Sequence, residues 1–274
     1  GGQEVTWDAT GYTGNITLTS GRVTGVGSKF AGASFSAADG QAITMTGTGA
    51  IGTGGISGAG VVEFDGALTF GGTTIATTGI NKIKGTRTLT LTGATTFKNL
   101  TNEGTLAIGA NALTLDGSEP RIFGGVVTGT GSISNSNGAL VWNPVDGTGY
   151  TGNITNSNTF SLGKDASFGV MTNSGTLAVG SHQLTVTSSS SINGVVTGSG
   201  KIAVGGGELT WNPTTQTVWS GDLKAVSGNI TGTADKFVSS VELATSRKLS
   251  LTGTKTYGGG SVSGLGYVDF SGTI

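Results

Sequence analysis

The chain repeats itself, and inside each repeat apolar side chains alternate with threonine or serine at every second position. These two features restrict the fold more than anything else in its 274 residues. Three segments align directly: VTWDATGYTGNIT from Val5, LVWNPVDGTGYTGNIT from Leu140, and LTWNPTTQTVWSGDLKAVSGNIT from Leu209. A weaker fourth opening is LTF at residues 68–70. The repeat anchors are then Trp7, Phe70, Trp142 and Trp211, at intervals of about 63 to 72 residues. The repeat ends agree with this phase: GGISGAGVVEF starts at Gly54, GGVVTGTGSI at Gly124, GVVTGSGKI at Gly194 and GGSVSGLGYVDF at Gly259. Short alternating runs lie midway, as AITMTG from Ala42, ALTLDG from Ala112, QLTVTS from Gln183 and KLSLTG from Lys248. The expected organisation is one elongated domain over 1–274 with internal repeats at 5–67, 68–139, 140–208 and 209–274. The opening at Gly1 and the ending at Ile274 read as the bounds of a piece of a longer array.

Strict period-two runs such as Leu89-Thr90-Leu91-Thr92 place apolar residues on one strand face and hydroxyls on the other. Strands of about four to six residues follow, and no stretch carries a 3.6-residue period. Tandem self-similarity suits an architecture in which each repeat buries its apolar row on its neighbours. Gly-x-Gly corners suit tight bends, because glycine accepts positive φ at no steric cost. The expected fold is therefore all-β, a right-handed parallel β-helix or β-solenoid with about three coils of roughly 20 to 25 residues per repeat. A tandem array of small β-sandwiches is the alternative.

Charge and composition exclude several function classes. Fourteen basic and fifteen acidic residues give a net charge of −1. The densest basic group, Lys82, Lys84 and Arg87, is no phosphate-tracking face, so nucleic acid is not an expected partner. Cysteine is absent, which removes disulfides and thiolate metal sites. No apolar run reaches the length of a transmembrane helix.

Polysaccharide chemistry on a β-helix needs converging carboxylates with a basic partner or a metal. The acidic residues here are dispersed, and the closest same-face pair is Glu63 and Asp65 in VVEFDG, which reads as a solvated strand face. His182, the only histidine, sits in the turn GSHQL where another repeat has Asn111, an ordinary turn position. No catalytic, cofactor-binding or metal-binding residue is assigned. Isolated Ca2+ stays open at the Asp-Gly turns of Asp39, Asp65, Asp116 and Asp146, although these read better as plain turns. The aromatic anchors read as a core stack rather than a sugar-binding face. Trp219 lies outside their series and is the expected exposed aromatic contact. Asn15, Asn153 and Asn229 each precede Ile-Thr at one place in three repeats; they read as a stacked ladder or turn rather than as glycosylation acceptors. Thr-x-Thr runs raise ice binding, but they are not regularly spaced along the sequence.

The NxGTLAIGxxxLTL runs at Asn102 and Asn173 and the GGVVTGTGSI runs resemble the glycine- and threonine-rich repeats of large bacterial surface proteins, namely autotransporter passengers and filamentous-haemagglutinin-like adhesins. The resemblance implies an extracellular or cell-surface location and a structural or adhesive role without catalysis. It also implies partners among host or neighbouring-cell surfaces, glycans, or further copies of the chain. A self-assembling filament or surface-layer subunit is the second reading, and a carbohydrate-binding or polysaccharide-processing β-helix the third. The 19-to-20-residue period of the haemagglutinin repeats is not evident in the sequence.

Overall fold

A computed structural model describes residues 3–30, 32–51, 55–71, 74–215, 219–253, 257 and 259–271. Gly1, Gly54 and Ile274, and residues 216–218 within the third aligned segment, lie outside the described residues. The protein is all-β, a parallel β-solenoid. The only helical turns among the described residues are two 3₁₀ segments, Gly27–Phe30 and Ala234–Lys236. The chain divides into two compact units, Gly1–Tyr150 and Thr151–Ile274.

In the first unit, one sheet runs through Glu4–Trp7, Arg22–Val26, Ala42–Ala50, Val61–Phe70, Asn81–Ile83, Leu100–Asn102, Arg121–Phe123 and Ala139–Trp142. A second runs through Asn15–Leu18, Ser34–Ala37, Ile56–Gly58, Thr74–Thr77, Thr95–Phe97, Ala112–Leu115 and Ser132–Asn135. The chain alternates between sheets, so each strand pairs in parallel with one a full coil earlier. In the second unit, Asn153–Asn156, Met171–Asn173, Ser190–Ile192, Glu208–Trp211, Asn229–Thr233, Lys248–Thr252 and Tyr267–Phe270 form one such ladder. Ala166–Phe168, Gln183–Val186, Lys201–Val204, Asp222–Ala225, Val241–Leu243 and Val262–Gly264 form another.

Period-two alternation produces this arrangement directly. Along Val61–Phe70 the burial alternates residue by residue, with Val62, Phe64, Leu68 and Phe70 inside. Register then stacks inward positions into columns. In the first unit one column is Ile16, Phe35, Ile56, Ile75, Phe97 and Leu115. Burying each such side chain contributes about 1.5–3 kcal/mol. Successive members of that column are unevenly spaced along the chain, with the widest step from Ile75 to Phe97 and the narrowest from Phe97 to Leu115. The coil is somewhat shorter than the sequence led us to expect. A coil-length period runs through these columns, but insertions at the corners make it uneven and so hide it in the linear sequence.

The same columns correct the expected alignment of the anchors. Trp7 leads through Gly25, Met45, Phe64, Ile83, Asn102 and Phe123 to Trp142, so these two tryptophans share a column. Phe70 belongs to another column, paired with Leu91. In the second unit Trp211 lies in the column of Asn173, Ile192, Gly232 and Leu251. The midway runs also fall on different sheets: Ala42–Ala50 is on the first sheet of its unit and Ala112–Leu115 on the second. What repeats in sequence is a strand and its turn, placed on whichever coil face comes next.

Two tryptophans are seated by one device. Trp7 Nε1 donates to the Lys29 carbonyl at 2.8 Å, and Trp211 Nε1 to the Lys236 carbonyl at 2.9 Å. Each acceptor lies in a 3₁₀ turn immediately before a phenylalanine: Lys29 is next to last in Gly27–Phe30, and Lys236 ends Ala234–Lys236 before Phe237. Each tryptophan faces a glycine in the next coil, Gly25 or Gly232. A Cβ on Gly232 would lie 2.1 Å from the Trp211 carbonyl oxygen. We expect Gly232→Val to destabilise the protein by at least about 1–3 kcal/mol, the cost typical of local backbone strain. Phe97→Ala, which empties a fully buried column position, should cost about 3–5 kcal/mol. Denaturant unfolding of each variant checks both values.

Candidate functional site

The densest set of charged side chains lies on the outer face of the first unit, where Val61–Phe70 presents Glu63 and Asp65. The ladder places Glu63 beside Thr44 on one side and Lys82 on the other. Arg22 reaches across from two coils earlier to form an ion pair and hydrogen bond with Glu63 and a hydrogen bond with Thr44. Thr44 Oγ1 also donates to Glu63 Oε2 at 3.1 Å. Lys84 Nζ lies 3.1 Å from Asp65 Oδ2 and 3.7 Å from Glu63 Oε2, and Arg87 Nε donates to Asp65 Oδ1 at 2.7 Å. Lys82 extends the series to Glu103 at 2.7 Å. The structure therefore joins the closest acidic pair to the densest basic group.

Partial burial pushes the Glu63 carboxyl up, but the Arg22 hydrogen bond and charge, the Thr44 hydroxyl and the Lys84 charge outweigh it, so its pKa falls below the usual range. At Asp65, burial is likewise outweighed by Lys84 and Arg87. Both carboxylates are ionised and paired at neutral pH. A general acid needs the opposite shift.

The remaining candidate residues are placed as follows. His182 Nδ1 lies 3.8 Å from Asp165 Oδ1 on a turn, with no third group completing a nucleophilic arrangement among the described residues. No group of three or more His, Cys, Asp or Glu able to hold a metal occurs among the described residues. Asp146 Oδ1 accepts from the Thr148 amide and hydroxyl, as a turn aspartate does.

Trp219 is not the exposed ring it was expected to be: it is 4 % exposed and packs on Trp211 with centroids 4.9 Å apart. The sequence held the signal. WNPVDGTGY and WNPTTQTVW place an aromatic eight residues after the anchor, so Trp219 corresponds to Tyr150. Tyr150 packs on Trp142 at 5.5 Å, and the two pair with the preceding coil in the same way, at Gly129 and Gly198.

The asparagines are also reassigned. Asn153 Oδ1 accepts the Val170 amide at 3.0 Å and Asn229 Oδ1 the Lys248 amide at 2.9 Å, each clasping the following coil. Asn15 is exposed at the start of its strand. These three do not stack on one another. The stacked amides are Asn156 and Asn173, fully buried, with Asn156 Nδ2 donating to Asn173 Oδ1 at 2.7 Å.

Sequence reading also missed Arg121, which is completely buried. Its Nη1 donates to the carbonyls of Lys98 and Gly117, and its Nη2 to Asn135 Oδ1 and the Asn137 carbonyl. Burial lowers its pKa to about 10, against the opposing charge of Asp116. The guanidinium ties together three coils and is no anion site.

No family model, curated protein or solved structure matches this chain.

The outer-face network gives a signed pH prediction. Because the folded carboxyls of Glu63 and Asp65 titrate below their unfolded values, their contribution is present above about pH 4.5 and is lost as pH falls through the folded pKa values. Glu63→Gln should therefore melt below the wild type at pH 7, and the gap should narrow as pH falls below about 4.5 and the folded carboxyl protonates. Paired thermal melts across that window measure it.

Proposed function

We propose that this chain is a non-catalytic scaffold segment of an extracellular bacterial surface protein, with a structural and adhesive role. The supporting observation is the coil-on-coil stacking itself. Residues of all kinds are engaged in holding one coil to the next, from apolar columns to the buried amides of Asn156 and Asn173 and the cation of Arg121. The carboxylate pair best placed for acid–base work, Glu63 and Asp65, is neutralised by Arg22, Lys84 and Arg87. Low overall charge and abundant hydroxyls make the outer surface suited to contact with other surfaces rather than to turnover of a small substrate.

Negative-stain electron microscopy across a concentration series, with and without Ca2+, tests the reading together with binding to cell and glycan surfaces. Discrete particles that bind such surfaces and leave polysaccharides intact are the expected outcome. Fibres that lengthen with concentration would make the chain a filament or surface-layer subunit instead. Release of shortened oligosaccharides from neutral or acidic polysaccharides would overturn the non-catalytic assignment.

A further inference from the structure

The outward positions of the second unit hold an order that the linear sequence conceals. Register sets Thr155 beside Thr172, Thr172 beside Ser191, Ser191 beside Thr210, Thr210 beside Thr231 and Thr231 beside Ser250. One hydroxyl per coil thus falls into a single rank, and no register shift interrupts these pairings. Two residues on, a second rank runs from Ser157 and Ser174 through Asn193 and Asn212 to Thr233 and Thr252. Backbone amides of Ser174, Asn193 and Asn212 continue the ladder to Asn156, Asn173 and Ile192, each at 2.9 Å. Strand geometry spaces the rungs of each rank about 4.8 Å apart and the two ranks about 6.6 Å apart.

Three properties separate this face from an ordinary solvated strand surface. First, the hydroxyls of Thr155, Thr172, Thr210, Thr231 and Ser250 make no hydrogen bond within the protein among the described residues, and all five side chains are exposed or half-buried. Each offers one donor and two acceptor sites outward. Second, threonine is stiff at χ1, so the array is already ordered before anything binds. Third, neither rank carries a charge along these six strands. The neighbouring sheet of the same unit does carry charges, with Lys201 beside Asp222 and Lys224 beside Glu242. Beyond Ser250 the rank ends in a charge, Asp269, which lies 3.6 Å from Lys248, and Glu208 and Lys248 sit on the rank before it.

The first rank thus presents pre-ordered, uncharged hydroxyls at Thr155, Thr172, Thr210, Thr231 and Ser250. The second rank, of Ser, Asn and Thr, is largely hydrogen-bonded within the protein and holds Ser191 through Asn193. The first rank is complementary to a ligand that is itself a regular array of hydrogen-bonding oxygens. We propose that this face binds ice. The rung spacing is close to a repeat of water oxygens in the ice lattice, and the threonine methyls between hydroxyls restrict the waters held there. Immobilising a bridging water costs entropy, a cost already met in the crystal, so many weak contacts add along the rank. A crystalline polysaccharide is the competing oxygen lattice. Sugar-ring faces are recognised by exposed aromatic rings. Trp211 and Trp219 are buried, and the exposed rings of this unit, Tyr267 and Phe270, lie on the last strand of the sheet, past the end of the hydroxyl rank at Ser250. The inference stands independently of the scaffold role proposed above.

Purified protein is frozen slowly into a growing ice front, and its enrichment in ice is measured alongside thermal hysteresis. Wild type should partition into the ice and inhibit crystal growth. Thr210→Tyr with Thr231→Tyr, which breaks the rank, should lower that activity at least tenfold, as should the single change Thr172→Lys at an exposed rung. Thr185→Tyr, on the neighbouring sheet, should retain it. Circular dichroism and melting confirm that each variant is folded. Absence of ice enrichment in the wild type overturns the proposal. Undiminished activity in folded rank variants, or binding to crystalline cellulose or chitin in place of ice, overturns it equally.

Discussion

The parallel backbone ladder between successive coils is the constraint on which the rest of the structure depends. It holds each residue beside its counterpart one coil away, so whatever faces inward must stack on what lies next in the column. Apolar residues meet this requirement by packing, as Ile56 on Ile75 and Leu113 on Ile133 do. Polar residues meet it only by bonding along the column or into the corners. Asn156 does so with Asn173, and Asn81 does so with the Asn99 carbonyl while accepting the Val62 amide and Thr77 hydroxyl. Buried amides left unpaired would each cost about 1–3 kcal/mol, which is why these asparagines sit where carbonyls converge.

The ladder orders the outer surface just as strictly. In the first unit it brings Glu63 beside Lys82, and alternating charges then link several coils. Exposed pairs of this kind contribute up to about 1 kcal/mol each, so the network secures register more than overall stability. In the second unit the same geometry, applied to uncharged residues, turns scattered threonines and serines into ranks. One backbone rule thus yields two surfaces of different chemistry, decided by which side chains occupy the outward positions.

Much of the fold was legible because strand alternation is a local property. The runs Leu89-Thr90-Leu91 and Leu113-Thr114-Leu115 are strands in the structure with the expected faces buried. Coil phase was not legible, because corner insertions vary the coil length: the step from Asn156 to Asn173 is several residues shorter than that from Ile75 to Phe97. Without phase, Phe70 was placed in the wrong column and the hydroxyl ranks looked irregular. Trp219 and Arg121 show a second limit: whether a large or charged side chain enters a coil depends on the volume and carbonyls supplied by neighbouring coils, which no single strand encodes. Trp219 was nonetheless recoverable from its match to Tyr150, since both follow a Trp-Asn-Pro by the same interval.

Cross-linking tests the coil register most directly, because the chain has no cysteine of its own. Ser191 and Thr210 are register partners on adjacent coils, whereas Thr172 and Thr210 are two coils apart. Adjacent parallel strands place their Cα atoms about 4.8 Å apart, within disulfide reach, and the wider pair falls outside the limit of about 7 Å. With both positions of a pair changed to cysteine, mild oxidation followed by mass spectrometry should show an intramolecular disulfide in the Ser191→Cys, Thr210→Cys protein. It should show free thiols in the Thr172→Cys, Thr210→Cys protein. Closure of the wider pair with failure of the adjacent one would contradict the stacked-coil account.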